Sequence, residues 1–271
     1  MKEFIQNVMA QLGASEGMTI AYLIVSGLIL GMGVVCLVLE FRVWRRYSKA
    51  NKMGISSRMT GMEAARFVLD REGLQHVKIR PAGFLRELFF GNYYNIATKT
   101  IYLRSVFGRI DQKQSVTSLA LGVQKAAVAK LCERGDRQAR VRNRLYLVGV
   151  FGPIFFIPIV LIGGLADLWL MKDFTIISMI SLGIGGLFLL AGFIVTMLNI
   201  PVEKRANRLA LQMMEENGLA TGEELEVIKR VYDAYILSYI ARFILEVLRV
   251  VQWVLEIVIR VQGGDKAGSA A

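Results

Sequence analysis

Apolar and polar positions alternate along this chain in blocks. Three blocks, 18–39, 145–166 and 174–200, are apolar and free of charged residues. Each is long enough to cross a hydrocarbon layer of about 30 Å as a helix. The pattern predicts an integral membrane protein, mainly α, with transmembrane helices over 18–40, 145–166 and 174–200. The stretch 1–17 reads as a polar lead-in. The first block starts too late, runs too long and lacks the small-residue cleavage pattern of a signal peptide.

Between the blocks the period changes. "TGMEAARFVLDREGL" predicts a helix: Thr60 is its N-cap and Glu63, three residues on, completes a capping box. Gly73 ends it. "HVKIRP" alternates like a short strand, and "NYYNIATKTIYL" reads as a turn followed by a β-rich segment at 100–103. A second long helix covers 115–132. After the third block, a helix opening near Pro201 and closing at Asn217-Gly218 is expected, then another starting at Thr221 with Glu224 at the capping-box position.

The region 231–261 is apolar on most sides. Its exceptions, Arg242, Glu246, Arg249, Trp253, Glu256 and Arg260, recur at steps of four and three and share one helix face. Such a helix either lies on a membrane surface with the stripe toward water, or spans with the stripe turned into a bundle. The stripe is a candidate partner-facing surface. The last residues, 262–271, read as a disordered tail.

Charge orients these blocks. Residues 41–144 hold 22 Lys and Arg against 7 Asp and Glu. The excess is dense on both flanks, in Arg42, Arg45, Arg46, Lys49 and Lys52, and again in Arg137, Arg140, Arg142 and Arg144. Basic flanks stay cytoplasmic, so 41–144 forms a cytoplasmic domain joined by 201–230, and the N-terminus lies outside. Attraction to anionic lipid accounts for the basic excess without a nucleic-acid partner. Cys36 and Cys132 form no CxxC, and His76 is the only histidine, so neither a disulfide framework nor a His-rich metal site is expected.

Candidate chemistry sits in 119–129, "LALGVQKAAVA", where Gln124 and Lys125 interrupt a small-residue helix. Burying an ammonium is costly unless it is paired.

Three segments resemble the YugP-like family of membrane zinc metallopeptidases. "TGMEAARFVLDREGLQHVKIR" is similar to the family's Thr-Gly-x-Glu-x-Ala-Arg opening. "NYYNIATKTIYLRSVFG" is similar to its Asp-His-Tyr-Asp-Pro segment. "IPVEKRANRLALQMMEENGLATGEELEVIKRVYDAY" is similar to its Pro-Val-Glu helix. The resemblance covers 45–245 and implies a zincin-like, gluzincin-type helical domain in a bacterial inner membrane. It also implies an HExxH helix, in which two histidines one turn apart bind Zn²⁺ and the glutamate activates the bound water.

Here that place reads Gln124-Lys125-Ala126-Ala127-Val128. Gln124 and Val128 stand where the histidines belong, and Lys125 stands at the general base. The third ligand position is kept as Glu203. Asn92, Tyr93, Tyr94, Asn95 and Ile96 replace the Asp-His-Tyr-Asp-Pro run. The resemblance therefore implies a catalytically inactive homologue with no cofactor: a scaffold, regulatory or structural subunit of a membrane complex. Its partners would be the bilayer and a membrane protein, an active paralogue or further copies of itself. The alternatives are a peptidase with non-standard ligands and other chemistry at Lys125, for which Ser115 and Ser118 are on the same helix. Glu203, without a metal, is expected to pair with Lys125 or Arg205, unless Lys125 snorkels to a wet surface.

Overall fold

The computed structural model describes residues 15–106, 108–170 and 176–268, together with Gln6. Most of residues 1–17, and residues 171–175, thus fall outside the described residues. The chain is mainly helical, with one small sheet. In order, the elements are α1 (Glu16–Asn51), α2 (Gly61–Arg71), β1 (Lys78–Ala82), α3 (Phe84–Phe90), β2 (Tyr93–Asn95), β3 (Thr100–Arg104), α4 (Val116–Glu133), α5 (Arg137–Arg144), α6 (Tyr146–Leu170), α7 (Ile176–Glu216) and α8 (Gly222–Gly268).

Two helices among the described residues, α1 and the α7 segment Met179–Glu216, are long and apolar enough to cross a membrane. On α1 the side chains of Ile24, Leu28, Leu30 and Leu37 are more than half exposed. A surface of that kind suits lipid better than water. At 36 residues α1 is about 54 Å long, well beyond a hydrocarbon layer of about 30 Å. Its basic end, from Arg42 to Lys49, is helical as well. The helix continues to Asn51 because Val43 and Ala50 are buried and Tyr47 packs on the core below. Ser115 Oγ donates to Asn51 Oδ1 at 2.8 Å, and Thr117 Oγ1 donates to the Tyr47 carbonyl at 3.3 Å. These bonds tie the end of α1 to the start of α4.

The core forms around α4. Every residue of α4 except Leu131 and Glu133 is buried, because α2, α7, α8, the sheet and the end of α1 surround it. Gly122 permits the closest of these approaches: a Cβ there would overlap the Gly61 carbonyl at the start of α2. Thr60 caps α2, and both bonds of its capping box with Glu63 are present. Gly73, at φ 71°, turns the chain out of α2. In the sheet β3 is central, parallel to β1 and antiparallel to β2. The expected strands at 78 and 100 are both present. β2 and α3 are additional: the expected turn falls at 96–99, after a short strand that pairs Tyr94 with Ile101.

Two helix boundaries differ from expectation. Pro201 does not open a helix but lies inside α7. A proline in a helix interior costs about 3 kcal/mol. Burial on both sides offsets it, with Leu189 and Val195 before it and Val202, Ala206 and Ala210 after it. Likewise Thr221 caps one helix, α8, rather than the first of two, with Glu224 Oε2 accepting its N–H at 2.7 Å. α8 also runs through 262–268, where a disordered tail was expected; "QGGDKAG" contains no proline to stop it.

Candidate functional site

Gln124 and Lys125 lie mid-way along α4 and are 3% and 9% exposed. Val128, one turn on, is fully buried in the apolar core. Glu203 approaches from α7, in the turn that begins at Pro201, and is itself 3% exposed. Gln124 Nε2 donates to Glu203 Oε2. Lys125 Nζ is 3.7 Å from Glu203 Oε1. The side chain of Lys125 is only 11% exposed, so it does not snorkel to a wet surface.

Arg205, the other cation considered for this role, points elsewhere and pairs with Asp136 at 3.2 Å. It is two residues from Glu203, and side chains two apart on a helix do not share a face. Asp136 is the N-cap of α5, accepting the Ala139 N–H at 2.9 Å. The Arg205 pair thus fixes α5 against α7.

Through α5 comes the residue that the sequence reading missed. Arg142 is 5% exposed and forms an ion pair with Glu203. Its Nε donates to Asn199 Oδ1 at 2.8 Å, and its guanidinium stands 5.8 Å from the Tyr146 ring centre. It was read as one of a basic cluster facing lipid. The signal that separates it is the helix period: Ala139, Arg142 and Asn143 form the buried face of α5, while Arg137, Arg140 and Arg144 lie off that face.

Burial pushes the Glu203 carboxyl up. Lys125 and Arg142 outweigh it and hold the group below the ordinary carboxylate range. For Lys125, burial dominates and lowers the ammonium below its usual value, despite Glu203. Burial opposes the charge on Arg142 too, but Glu203 more than compensates and raises its pKa.

The segment 92–96 reaches the same place through aromatic rings. Tyr93 stacks on Tyr102 at 5.1 Å and on Tyr146 at 5.7 Å. Tyr94 is buried and donates to Glu133 at 3.0 Å. Asn92 and Asn95 accept backbone N–H groups, and Ile96 packs against the core. Ser115 and Ser118 hydrogen-bond each other at 2.9 Å at the start of α4, two turns from Lys125. No Ser–Lys pair forms there. Among the described residues no group of three His, Cys, Asp or Glu could hold a metal ion.

A family model described as "putative neutral zinc metallopeptidase" matches residues 23–258. The chain belongs to this family. It is also similar to the "putative membrane protease YugP" of Bacillus subtilis (strain 168), with 22% identity over 219 residues, covering 80% of this chain and 88% of that protein. No solved structure matches.

A cavity of about 890 Å³ opens beside the cluster, lined by Gln124, Lys125, Arg142 and Glu203 at one end and by stretches of α1, α7 and α8. Part of the stripe on α8 borders this cavity: Arg242, Glu246 and Arg249 line it, with Glu246 buried and the two arginines exposed. Arg242 pairs with Glu40 of α1 at 2.6 Å, and Glu256 accepts from Tyr22 at 3.2 Å. Arg249 pairs with Glu246 at 2.7 Å, and Trp253 donates to the Leu182 carbonyl of α7 at 3.3 Å. α1 thus supplies polar partners for two members of the stripe, Arg242 and Glu256. The side chain of Arg260 lies outside the described residues.

Proposed function

We propose that this chain is a catalytically inactive member of its family, a membrane pseudopeptidase that serves as a scaffold, regulatory or structural subunit of a membrane complex. The engagement of Glu203 supports this most directly. A catalytic zinc takes three protein donors and keeps a fourth position for water. Glu203 is the one carboxylate in the cluster, and two cations already neutralise it. Gln124 turns its N–H toward Glu203, and Val128 has no donor atom. These residues do not fit Zn²⁺.

In this reading α4, α7 and the sheet keep a zincin-like arrangement. α6, of 25 residues, is a third span beside α1 and α7. The N-terminus faces outward, the basic 41–144 and 201–230 regions face the cytoplasm, and the membrane is the bacterial inner membrane. Reporter fusions placed after residue 143 test the orientation.

The deciding experiment is metal analysis of the purified full-length protein. Zinc far below one per chain is expected, and one zinc per chain would overturn the reading. For the subunit role, mildly solubilised membranes should show the protein in assemblies well above its 30.3 kDa mass.

A further inference from the structure

The cavity beside Glu203 is unusual in its charge and in what it leaves unpaired. Its lining holds five Lys and Arg side chains against three Glu. Arg242 pairs with Glu40, and Arg249 pairs with Glu246 through Oε1 alone. Glu203 is shared by Lys125 and Arg142. Arg104, at the end of β3, is the fifth cation and has no acidic side chain paired with it among the described residues. Its Nε is buried without a hydrogen-bond partner. Glu87, buried on α3, directs Oε2 to the amides of Ser105 and Val106 instead.

Other polar atoms on this lining are in the same position. Eight buried side-chain atoms among the described residues lack a partner, and four of them line this cavity: Tyr47 Oη, Arg104 Nε, Gln124 Oε1 and Glu246 Oε2. Buried polar groups are nearly always satisfied, so a cluster of exceptions needs an explanation. Lys125 and Arg142 are buried with one carboxylate between them, which leaves a positive charge in excess there. An anion supplied from outside would answer that charge and accept from Tyr47 Oη and Arg104 Nε.

The cavity is also long in the direction of the membrane. Its lining takes in Cys36 of α1, Val195 of α7 and Leu245 of α8, level with the apolar stretches of those helices. Trp44, Phe89 and Phe90 also line it. Aromatic rings in a cavity that carries both apolar and charged side chains suit an amphiphile at a membrane interface. The volume of about 890 Å³ falls within the range of about 300–1,000 Å³ typical of small-molecule sites.

We infer that the former peptidase cleft binds a single-chain anionic amphiphile. Its carboxylate or phosphate head lies against Arg104, Lys125 and Arg142, and its chain runs between α1, α7 and α8. Guanidinium groups suit such heads because they can donate two parallel hydrogen bonds. A headgroup hydroxyl can donate to Gln124 Oε1. The inference rests on the metal-free reading of the cleft, since a zinc ion would compete with the cations that hold the head.

The test uses full-length protein in neutral detergent, with native mass spectrometry as the readout. Lysophosphatidylglycerol, lysophosphatidylcholine with the same acyl chain, and glycerol 1-phosphate are titrated separately. Saturable one-to-one binding of lysophosphatidylglycerol is expected, at least tenfold tighter than either of the others. Arg104→Gln should lose at least tenfold, and Arg104→Lys should recover most of it. Leu245→Trp, which narrows the chain channel without removing a charge, should lose lysophosphatidylglycerol binding; it decides the matter if Arg104→Gln fails to fold. Equal binding of the two lysolipids overturns the inference, as does indifference to both Arg104→Gln and Leu245→Trp. Glycerol 1-phosphate binding as tightly as the lysolipid overturns the amphiphile and assigns the site to a free anion. Zinc content is measured on the same preparation. Zinc-free protein without headgroup discrimination overturns this inference alone, whereas stoichiometric zinc overturns the reading beneath it.

Discussion

Two glutamates, each tied to α4, gather three polar partners apiece in opposite surroundings. Glu203 meets Lys125, Arg142 and Gln124 with 4% of its side chain exposed, and its two cations are 11% and 6% exposed. Glu133, the last residue of α4, meets Tyr94, His76 and Lys99 at 3.0–3.2 Å, with partners about half exposed for His76 and Lys99. In both, burial pushes the carboxyl up and the partners pull it below its ordinary range. The partner lists alone make the two sites look equivalent. Water separates them. At Glu133, itself 18% exposed, it can take the place of Lys99 or His76, while at Glu203 each charge depends on the others.

Removing one member of each cluster should expose that difference at once. Glu203→Ala leaves Lys125 and Arg142 buried together without their carboxylate, and breaking a buried pair in this way costs about 3–5 kcal/mol. Chemical denaturation in detergent should show this loss. A change below about 1 kcal/mol would mean that water enters the cleft and that the two sites are alike after all.

Removing all the buried charges should have the opposite result. The triple change Lys125→Met, Arg142→Met and Glu203→Leu takes away the desolvation cost along with the attraction. Such replacements range from neutral to about 4 kcal/mol stabilising. A triple variant at least as stable as the parent would show that the cluster is not kept for stability, which leaves binding as its use. A triple variant as unstable as Glu203→Ala would make the cluster part of the framework.

The sequence exposed the members of the Glu203 cluster unevenly, for physical reasons. Gln124, Lys125 and Glu203 were visible because two polar residues interrupt an apolar helix and because a resemblance marks their places. Arg142 was hidden among like charges, and only the three-and-four spacing from Ala139 distinguishes it. Arg205 was proposed on nearness in sequence, although a helix turns residues two apart onto different faces. Capping boxes at Thr60 and Thr221 were legible because their bonds are local. The continuity of α7 through Pro201 was not, since packing from distant segments decides it. The α8 stripe is compatible in sequence with either orientation, and its contacts with Glu40 and Tyr22 on α1 come from more than 200 residues away.

Acid should separate the two glutamates less sharply. Both folded-state pKa values are lowered, so each contributes stability that is present above the unfolded value, about 4.3, and is lost as pH falls through the folded value. The unfolding free energy should therefore hold from pH 7 to about 5 and decline below about 4.5. Glu203→Gln should remove more of that decline than Glu133→Gln, because its cations are shielded from solvent. Equal acid slopes in the two variants would place the sites on the same footing.

The smallest effect is expected at the surface. Glu133→Gln keeps the shape of the side chain and an acceptor for Tyr94, and gives up the charge facing Lys99 and His76. Exposed ion pairs contribute about 0–1 kcal/mol because water solvates their members nearly as well when parted. The change should fall in that range and shrink further in high salt, where surface charges are screened. A loss of about 3 kcal/mol, insensitive to salt, would give Glu133 the behaviour expected of a buried ion pair. The contrast between the sites would then rest on their chemistry rather than on access to water, and the charges around Glu203 would no longer stand apart as candidates for a ligand.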